Sequence, residues 1–341
     1  MASIGQIRGM LLEEALLHLL RHSGYRPVEH TGDDPTLENA HNGLNVKGRG
    51  GRHQIDAIAD CLLYPPFSHP QRLLVEAKCT GMKTQLPVVR NALGVLKDVG
   101  EFWVSGSGNT TPTKRYHYQY ALFSASGYTA NAEQYAFAQD IYLIPLAGSV
   151  FLNPIVDSIR HISSEDFAEE PTNNIDVNMK SMRELARDML KGRAHEPELL
   201  DDHVLARAGE KFRNYMKGCH RVDTALLAML GGSFPVFLVP APNVNVARLF
   251  SPVKVRIHYD TERWYLEKPD GEQLFSFDLP KQLFQMYAEG GRLTAQQALN
   301  MKEDRMSAFQ AIYSPGRGRI KVISFQLDQG WLQGVREHLR G

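Results

Sequence analysis

The chain has 341 residues, 43% hydrophobic and 22% charged, an ordinary globular composition with enough apolar material for two cores. Its 38 basic and 38 acidic residues cancel, which excludes a whole-molecule basic field, so any contact with nucleic acid has to come from local patches. Cys61, Cys79 and Cys219 lack paired C-x-x-C spacing, which argues against a disulfide framework or a zinc site and fits a reducing compartment.

Near the N-terminus, Met10, Leu11, Ala15, Leu16, Leu19 and Leu20 recur at helical spacing, and Gly24 stands where a C-cap would end the helix. Glu13, Glu14 and His18 interrupt the apolar residues too often for a signal peptide or a membrane span. No later segment offers about eighteen uninterrupted apolar residues, so a soluble, cytoplasmic protein is expected. A loop to Asn42 precedes three strand-like stretches, LNVKG, HQIDAIADCLL and RLLVEAKC. PVVRNALGVLKDVGEFW then predicts a helix, GSGNTTPTK a polar loop, YQYALFSAS a strand, TANAEQYAFAQ a helix and IYLIPL a buried strand.

Beyond Gly148 the pattern changes. EEPTNN marks a polar break, and NMKSMRELARDMLKGR and DDHVLARAGEKFRNYMKG read as two exposed, charged helices bridging two domains. From about Val222 strands dominate, with Pro269, Asp270 and Gly271 forming a hairpin turn between two of them. The expected organisation is a domain over 1–148, a helical linker over 149–221 and a smaller α+β domain over 222–341.

The chemistry concentrates in the first of these. Asp56 lies in the strand-like IDAIAD, and Glu76 and Lys78 lie two apart in LLVEAKC, so they project from the same face of a strand. Ionisable groups among Ile, Leu, Val and Ala are costly unless paired, hydrated or metal-bound. Hydrolysis of a phosphodiester calls for a hard cation, and magnesium takes one or two carboxylates while keeping several waters. Asp56 and Glu76 supply such carboxylates, the main-chain carbonyl of Ala77 offers a further oxygen, and Lys78 is placed to orient or help deprotonate a water.

These segments, IDAIAD, VEAKC, the helix VVRNALGVLKD and the closing LFSASGYTANAEQYA plus IYLIPL, resemble the PD-(D/E)XK nuclease superfamily and, within it, the Mrr-like restriction endonucleases. The resemblance covers residue 1 to about Leu146. It implies an α/β fold with a restriction-endonuclease-like mixed sheet flanked by helices, cleavage of DNA, and a Mg2+ requirement with Mn2+ as substitute. It also implies a role for an acid of the first helix, matched here to Glu14, with Glu13 as the alternative register. One departure is that Arg52, His53, Gln54 and Ile55 precede Asp56 in place of the small Gly–Ile pair common in the family.

Lesser signals are the glycine-rich basic loop 47–53, in which Lys47, Arg49, Arg52 and His53 are candidate phosphate contacts, and GRGRIK at 316–321. Trp264, Tyr265, Phe275, Phe277, Phe284 and Tyr287 read mostly as core. No Walker-type phosphate loop and no H-E-x-x-H occur, which excludes a nucleotide-driven motor within this chain and a zinc hydrolase of that pattern. The resulting expectation is a DNA endonuclease of restriction or defence, dimeric so as to cut both strands, whose C-terminal half recognises DNA, a protein partner or a signal. Two rivals are a non-catalytic nucleic-acid-binding scaffold and a partner-controlled nuclease that acts on RNA or nicks DNA.

Overall fold

In the computed structural model, which describes residues 2–40, 43–102, 115–167, 175–193, 204–260, 263–314 and 319–340, the first helix, α1, runs over Ile4–His22. Ile7, Met10, Leu11, Leu12, Leu16 and Leu19 are all buried, so apolar contact surrounds much of its circumference and it behaves as an interior helix. It stops before Gly24, whose φ of 84° is reached without the Cβ clash other residues would suffer.

The strands that follow are β1 (Tyr25–Pro27), β2 (Leu37–Ala40), β3 (Gly43–Lys47), β4 (Arg52–Ile55), β5 (Ala57–Cys61), β6 (Gln71–Lys78), β7 (His117–Ser124) and β8 (Ile141–Pro145). β2, β3 and β4 make a small antiparallel sheet. The larger sheet has the order β1-β5-β6-β7-β8, antiparallel from β1 to β6 and parallel from β6 to β8. Parallel neighbours need crossovers, and α2 (Leu86–Gly100) and α3 (Ala130–Ala138) supply them. Val89, Ala92 and Val99 of α2 and Ala132 and Ala136 of α3 cover Ile58, Leu74, Tyr120 and Leu122 of the sheet. The chain is thus mixed α/β, as its sequence pattern predicts. The predicted loop at 106–114 lies outside the described residues.

The expected linker over 149–221 is corrected by its packing. α4 (Asn153–His161), α5 (Met179–Leu190) and α6 (Val204–His220) belong to the first compact unit, which comprises Met1–Arg21 and Tyr25–Asp223. Arg8 on α1 donates to the carbonyls of Arg160 and Ile162, and the Tyr215 hydroxyl on α6 donates to Leu11 O at 2.9 Å. α5 buries Met182, Ala186 and Leu190 and directs its arginines at acids of α1. Charge density along these helices reads as exposure, but Arg183 and Arg187 of α5 and Lys211 of α6 pair with acids of the same unit. The first unit therefore extends well past Gly148.

A buried arginine organises the far end of the large sheet. Arg72, 1% exposed, donates to Asp60 at 2.7 and 3.2 Å, to Asp34 at 2.7 Å and to Thr36 at 3.0 Å, and its guanidinium lies 3.6 Å from the centre of the Tyr116 ring. Burial alone would raise the Asp34 carboxyl. Hydrogen bonds from Thr36 and Tyr116 and the charge of Arg72 outweigh burial and hold it at about 2. Because the folded value lies below the unfolded 3.8, the stability it contributes is complete above about pH 4 and is lost as pH falls through 2. We expect Asp34→Asn to cost on the order of 2 kcal/mol near neutrality and progressively less in acid. Urea unfolding across that range checks it; a pH-independent cost would exclude this linkage.

The second unit, His22–Gly24 with Thr224–Gly341, is a closed barrel. Its strands are β9 (Leu226–Leu230), β10 (Phe234–Pro240), β11 (Val253–Tyr259), β12 (Trp264–Glu267), β13 (Gln273–Phe277), β14 (Ala308–Tyr313) and β15 (Lys321–Leu327), in the order β10-β13-β12-β11-β15-β14-β9. The hairpin predicted at Pro269–Gly271 joins β12 to β13. β9 pairs with β10, and the parallel β11/β15 pair joins segments far apart in sequence. Phe275, Phe309 and Phe325 fill the interior, and α7 (Lys281–Tyr287), α8 (Ala295–Met306) and α9 (Gln329–His338) add Leu283, Leu299, Met301 and Leu332 to the same core. Trp264, Phe275 and Phe277 are buried within it, as the sequence reading expects. No helix among the described residues is long and apolar enough to cross a membrane.

Candidate active site

Asp56 occupies the single residue between β4 and β5, where the chain leaves the small sheet and enters the large one. The sequence suggests one continuous strand there. Side chains within a ladder stand perpendicular to the sheet, whereas the break frees Asp56 to reach sideways, and its Oδ2 accepts the Ala77 N–H at 2.8 Å. The Lys78 carbonyl accepts from Ala125 on the β7 side. By strand alternation the N–H and C=O of Ala77 both face the opposite side, toward Asp56.

Glu76 and Lys78 share a face of β6, as their spacing predicts. Lys78 Nζ lies 2.5 Å from Glu76 Oε1, and Glu76 Oε2 accepts the Tyr120 hydroxyl at 3.0 Å. Burial, reinforced by neighbouring Glu76, pushes the Tyr120 phenol far above its ordinary range, so it remains a donor at any physiological pH. Burial also raises the Asp56 carboxyl; the Ala77 N–H opposes this, Glu76 adds to it, and Lys78 and Arg183 oppose it.

The two first-helix acids named from sequence stand in different surroundings. Glu14, 1% exposed, is held by Arg183 at 3.1 Å and by Arg187 at 2.9 and 2.7 Å. Glu13 feels the charge of Asp56. Burial lifts its carboxyl to about 7; Arg183, 2.6 Å away, pulls it down, and Asp56 pushes it up. Successive helix residues point about 100° apart, so a register ambiguity of one residue decides between a structural ion pair and the site. The structure places Glu13, and not Glu14, along the cleft that Asp56 also lines.

A cleft of about 770 Å³ opens beside these groups, lined among others by Glu13, Gln54, Asp56, Lys180, Arg183 and Arg187. Lys180, Arg183 and Tyr120 are absent from the sequence-based candidates. Arg183 and Arg187 carried a usable signal, since they sit at i and i+4 beside the buried Met182, Ala186 and Leu190 stripe. Tyr120 carried none beyond being an aromatic in a strand, because its partner lies on a different strand.

The glycine-rich loop is tied to neighbouring elements. Asp98 on α2 accepts from Gly50 N, Gly51 N and His53 Nε2, while Arg49 pairs with Glu101, Arg52 with Glu38, and Lys47 donates to Pro35 O. The pairs of Arg49 and Arg52 are solvent-exposed and therefore weak, so both guanidinium groups can exchange partners. In GRGRIK, residues 316–318, Arg317 among them, lie outside the described residues. Lys321 donates to the carbonyls of Val246, Ala247 and Leu249, which makes it an internal tether.

Among the described residues, one triad of His, Cys, Asp or Glu brings its ligand atoms within 4.8 Å of one another, namely His18, His220 and Asp223. Glu13, Asp56 and Glu76 do not close to that distance as a set. No family model matches the chain, and no curated protein matches it either. A solved structure, described as the crystal structure of a protein of unknown function, AF1548, aligns over 54% of this chain and 99% of its own at 16% identity, with a TM-score of 0.28. Likeness at that level bears on neither fold family nor activity.

Proposed function

We propose that the first unit is a metal-dependent endonuclease that hydrolyses DNA phosphodiester bonds, built on a restriction-endonuclease-like sheet. The observation that carries the reading is the convergence of Asp56 with Ala77 N–H, between Glu76 and Lys78, beside a cleft that also presents Lys180 and Arg183. The available donors, two carboxylates and one carbonyl, are all oxygen, which suits magnesium or manganese. Asp56, Glu76 and the Ala77 carbonyl would hold the ion, which when bound supplies charge stabilisation to the phosphate oxygens and acidifies water. The protein's own groups do the rest. Lys78 orients the attacking water and offsets charge developing on the phosphorane-like centre, and Tyr120 fixes the Glu76 carboxylate. Lys180 and Arg183 draw the DNA backbone into the cleft. The resemblance to Mrr-like enzymes supports restriction of foreign DNA as the setting and a dimer as the assembly that cuts both strands.

The test is a panel of duplex DNA, single-stranded DNA and RNA, each with and without magnesium. Magnesium-dependent scission of duplex DNA is expected. A folded protein that cuts nothing with either magnesium or manganese is a binding scaffold; one that cuts only RNA has a different substrate.

Asp56→Ala and Glu76→Ala are each expected to weaken manganese binding along with activity, by at least ~10-fold. Burial raises the Asp56 carboxyl in the folded chain, so protons compete with the ion there, and affinity should rise with pH as that carboxyl ionises. Calorimetric titration of the variants and of the wild-type chain over pH measures both effects. Unchanged binding in the two variants would remove these carboxylates as ligands.

A further inference from the structure

His18 on α1 and His220 at the end of α6 are some two hundred residues apart in the chain, yet both address one carboxylate. His18 Nε2 is 2.6 Å from Asp223 Oδ1, and His220 Nδ1 is 3.2 Å from Asp223 Oδ2. The two imidazole rings meet edge-on with centroids 5.5 Å apart. One ligand atom from each residue falls within 4.8 Å of the other two. His18 is 2% exposed, while the side chains of His220 and Asp223 are 44% and 34% exposed, so the cluster has a buried floor and a face that an ion can reach.

Two imidazole nitrogens and one carboxylate oxygen form a donor set that borderline divalent transition ions favour and that magnesium does not. With zinc–ligand bonds near 2.0–2.2 Å, tetrahedral donors stand about 3.3 Å apart. The His220–Asp223 separation already matches, and the His18–Asp223 contact has to open by less than 1 Å. That short contact is a hydrogen bond whose bridging proton a cation can replace.

We propose that His18, His220 and Asp223 form a transition-metal site of the zinc class, with three protein ligands and a fourth position open to water. It shares no residue with the centre around Asp56 and does not depend on that centre's role. Its effect is to clip α1 to the end of α6, joining segments separated by a very long loop, which is where a clip stabilises most. Three protein ligands with an open position also leave room for a small anionic ligand on the ion.

The experiment uses the full-length chain, stripped with chelator and dialysed, in wild-type form and in an Asp56→Asn, Glu76→Gln background that silences the other centre. Zinc chloride and magnesium chloride are titrated by calorimetry, cobalt is substituted for spectroscopy, and thermal unfolding is followed with and without zinc. One zinc per chain with Kd below about 1 µM is expected in both forms, with no competition from magnesium. Cobalt should give visible ligand-field absorption, and zinc should raise Tm. His220→Ala, at a half-exposed position, should weaken zinc by at least ~100-fold, abolish the cobalt bands and cancel the Tm rise. Asp223→Asn, nearly isosteric, serves as the second variant and should do the same should His220→Ala unfold. Absence of zinc binding in the silenced background, or unchanged affinity in a folded His220→Ala or Asp223→Asn chain, would leave only a hydrogen-bonded clamp and overturn the proposal.

Discussion

Lys78→Ala is expected to leave the chain folded and able to bind duplex DNA while lowering cleavage by on the order of 10²–10⁴-fold. The side chain is partly exposed and ends in a 2.5 Å pair with Glu76, so truncating it leaves no buried cavity. Its removal strips the cation that faces Glu76 and lowers the pull on Asp56. Those carboxylates then bear more mutual repulsion, which a bound divalent ion relieves, so metal affinity should hold or tighten as the rate falls. A loss in kcat without a matching loss in KM is the signature of an interaction made in the transition state. Single-turnover cleavage alongside DNA binding in calcium, at fixed salt because phosphate contacts are salt-dependent, separates the two quantities. Rapid cleavage by a folded Lys78→Ala chain would refute the role proposed for the lysine.

A chain ended at Gly148 is expected not to fold, whereas one ended at Asp223 is expected to fold cooperatively and to bind manganese. Pattern alone places every element of the proposed catalytic core before Gly148, which would make the shorter chain sufficient. The structure reverses that expectation. Removing α5 strips Arg183 and Arg187 from Glu14, and leaving a buried charge unpaired costs about 3–5 kcal/mol. Removing α4 and α6 deprives α1 of the helices that bond to it through Arg8 and Leu11, and re-exposed leucines cost roughly 1.5–3 kcal/mol each. These losses reach the whole stability of a typical domain, about 5–15 kcal/mol. Circular dichroism with thermal melts of the two truncated chains decides it. A soluble, cooperatively melting 1–148 chain would show that the helices from α4 to α6 are dispensable.

The proposed activity also bears on how the halves divide the work. The residues named around Asp56 all belong to the first unit, so a folded chain ended at Asp223 that still cuts DNA would assign to the barrel recognition or control instead of chemistry. Comparing the two proteins on one substrate panel distinguishes those roles. Weak, indiscriminate cutting points to a lost reader, and heightened cutting to a lost restraint.

Local periodicity was enough to identify α1, α2 and α3, the strands β6, β7 and β8, and the shared face of Glu76 and Lys78, because helix and strand repeats are properties of neighbouring residues. It was not enough at Asp56, where continuous apolar character concealed the junction of two sheets, a matter of which partners each half of the segment pairs with. Nor did it separate Glu13 from Glu14. One residue of rotation sets one carboxylate along the cleft that Asp56 lines and hands the other to two arginines about 170 positions away. Both charged helices α5 and α6 look solvated in sequence because charge usually is, and only the packing of α5 against α1 turns Arg183 and Arg187 of α5 inward. Barrel closure through the parallel β11/β15 pair and the gathering of His18 with His220 and Asp223 are of the same kind. Sequence by itself determined what each short segment forms and which chemistry its side chains carry; the tertiary structure alone decided which distant side chains meet, since burial and pairing energies belong to contacts between segments and leave no periodic trace within either one.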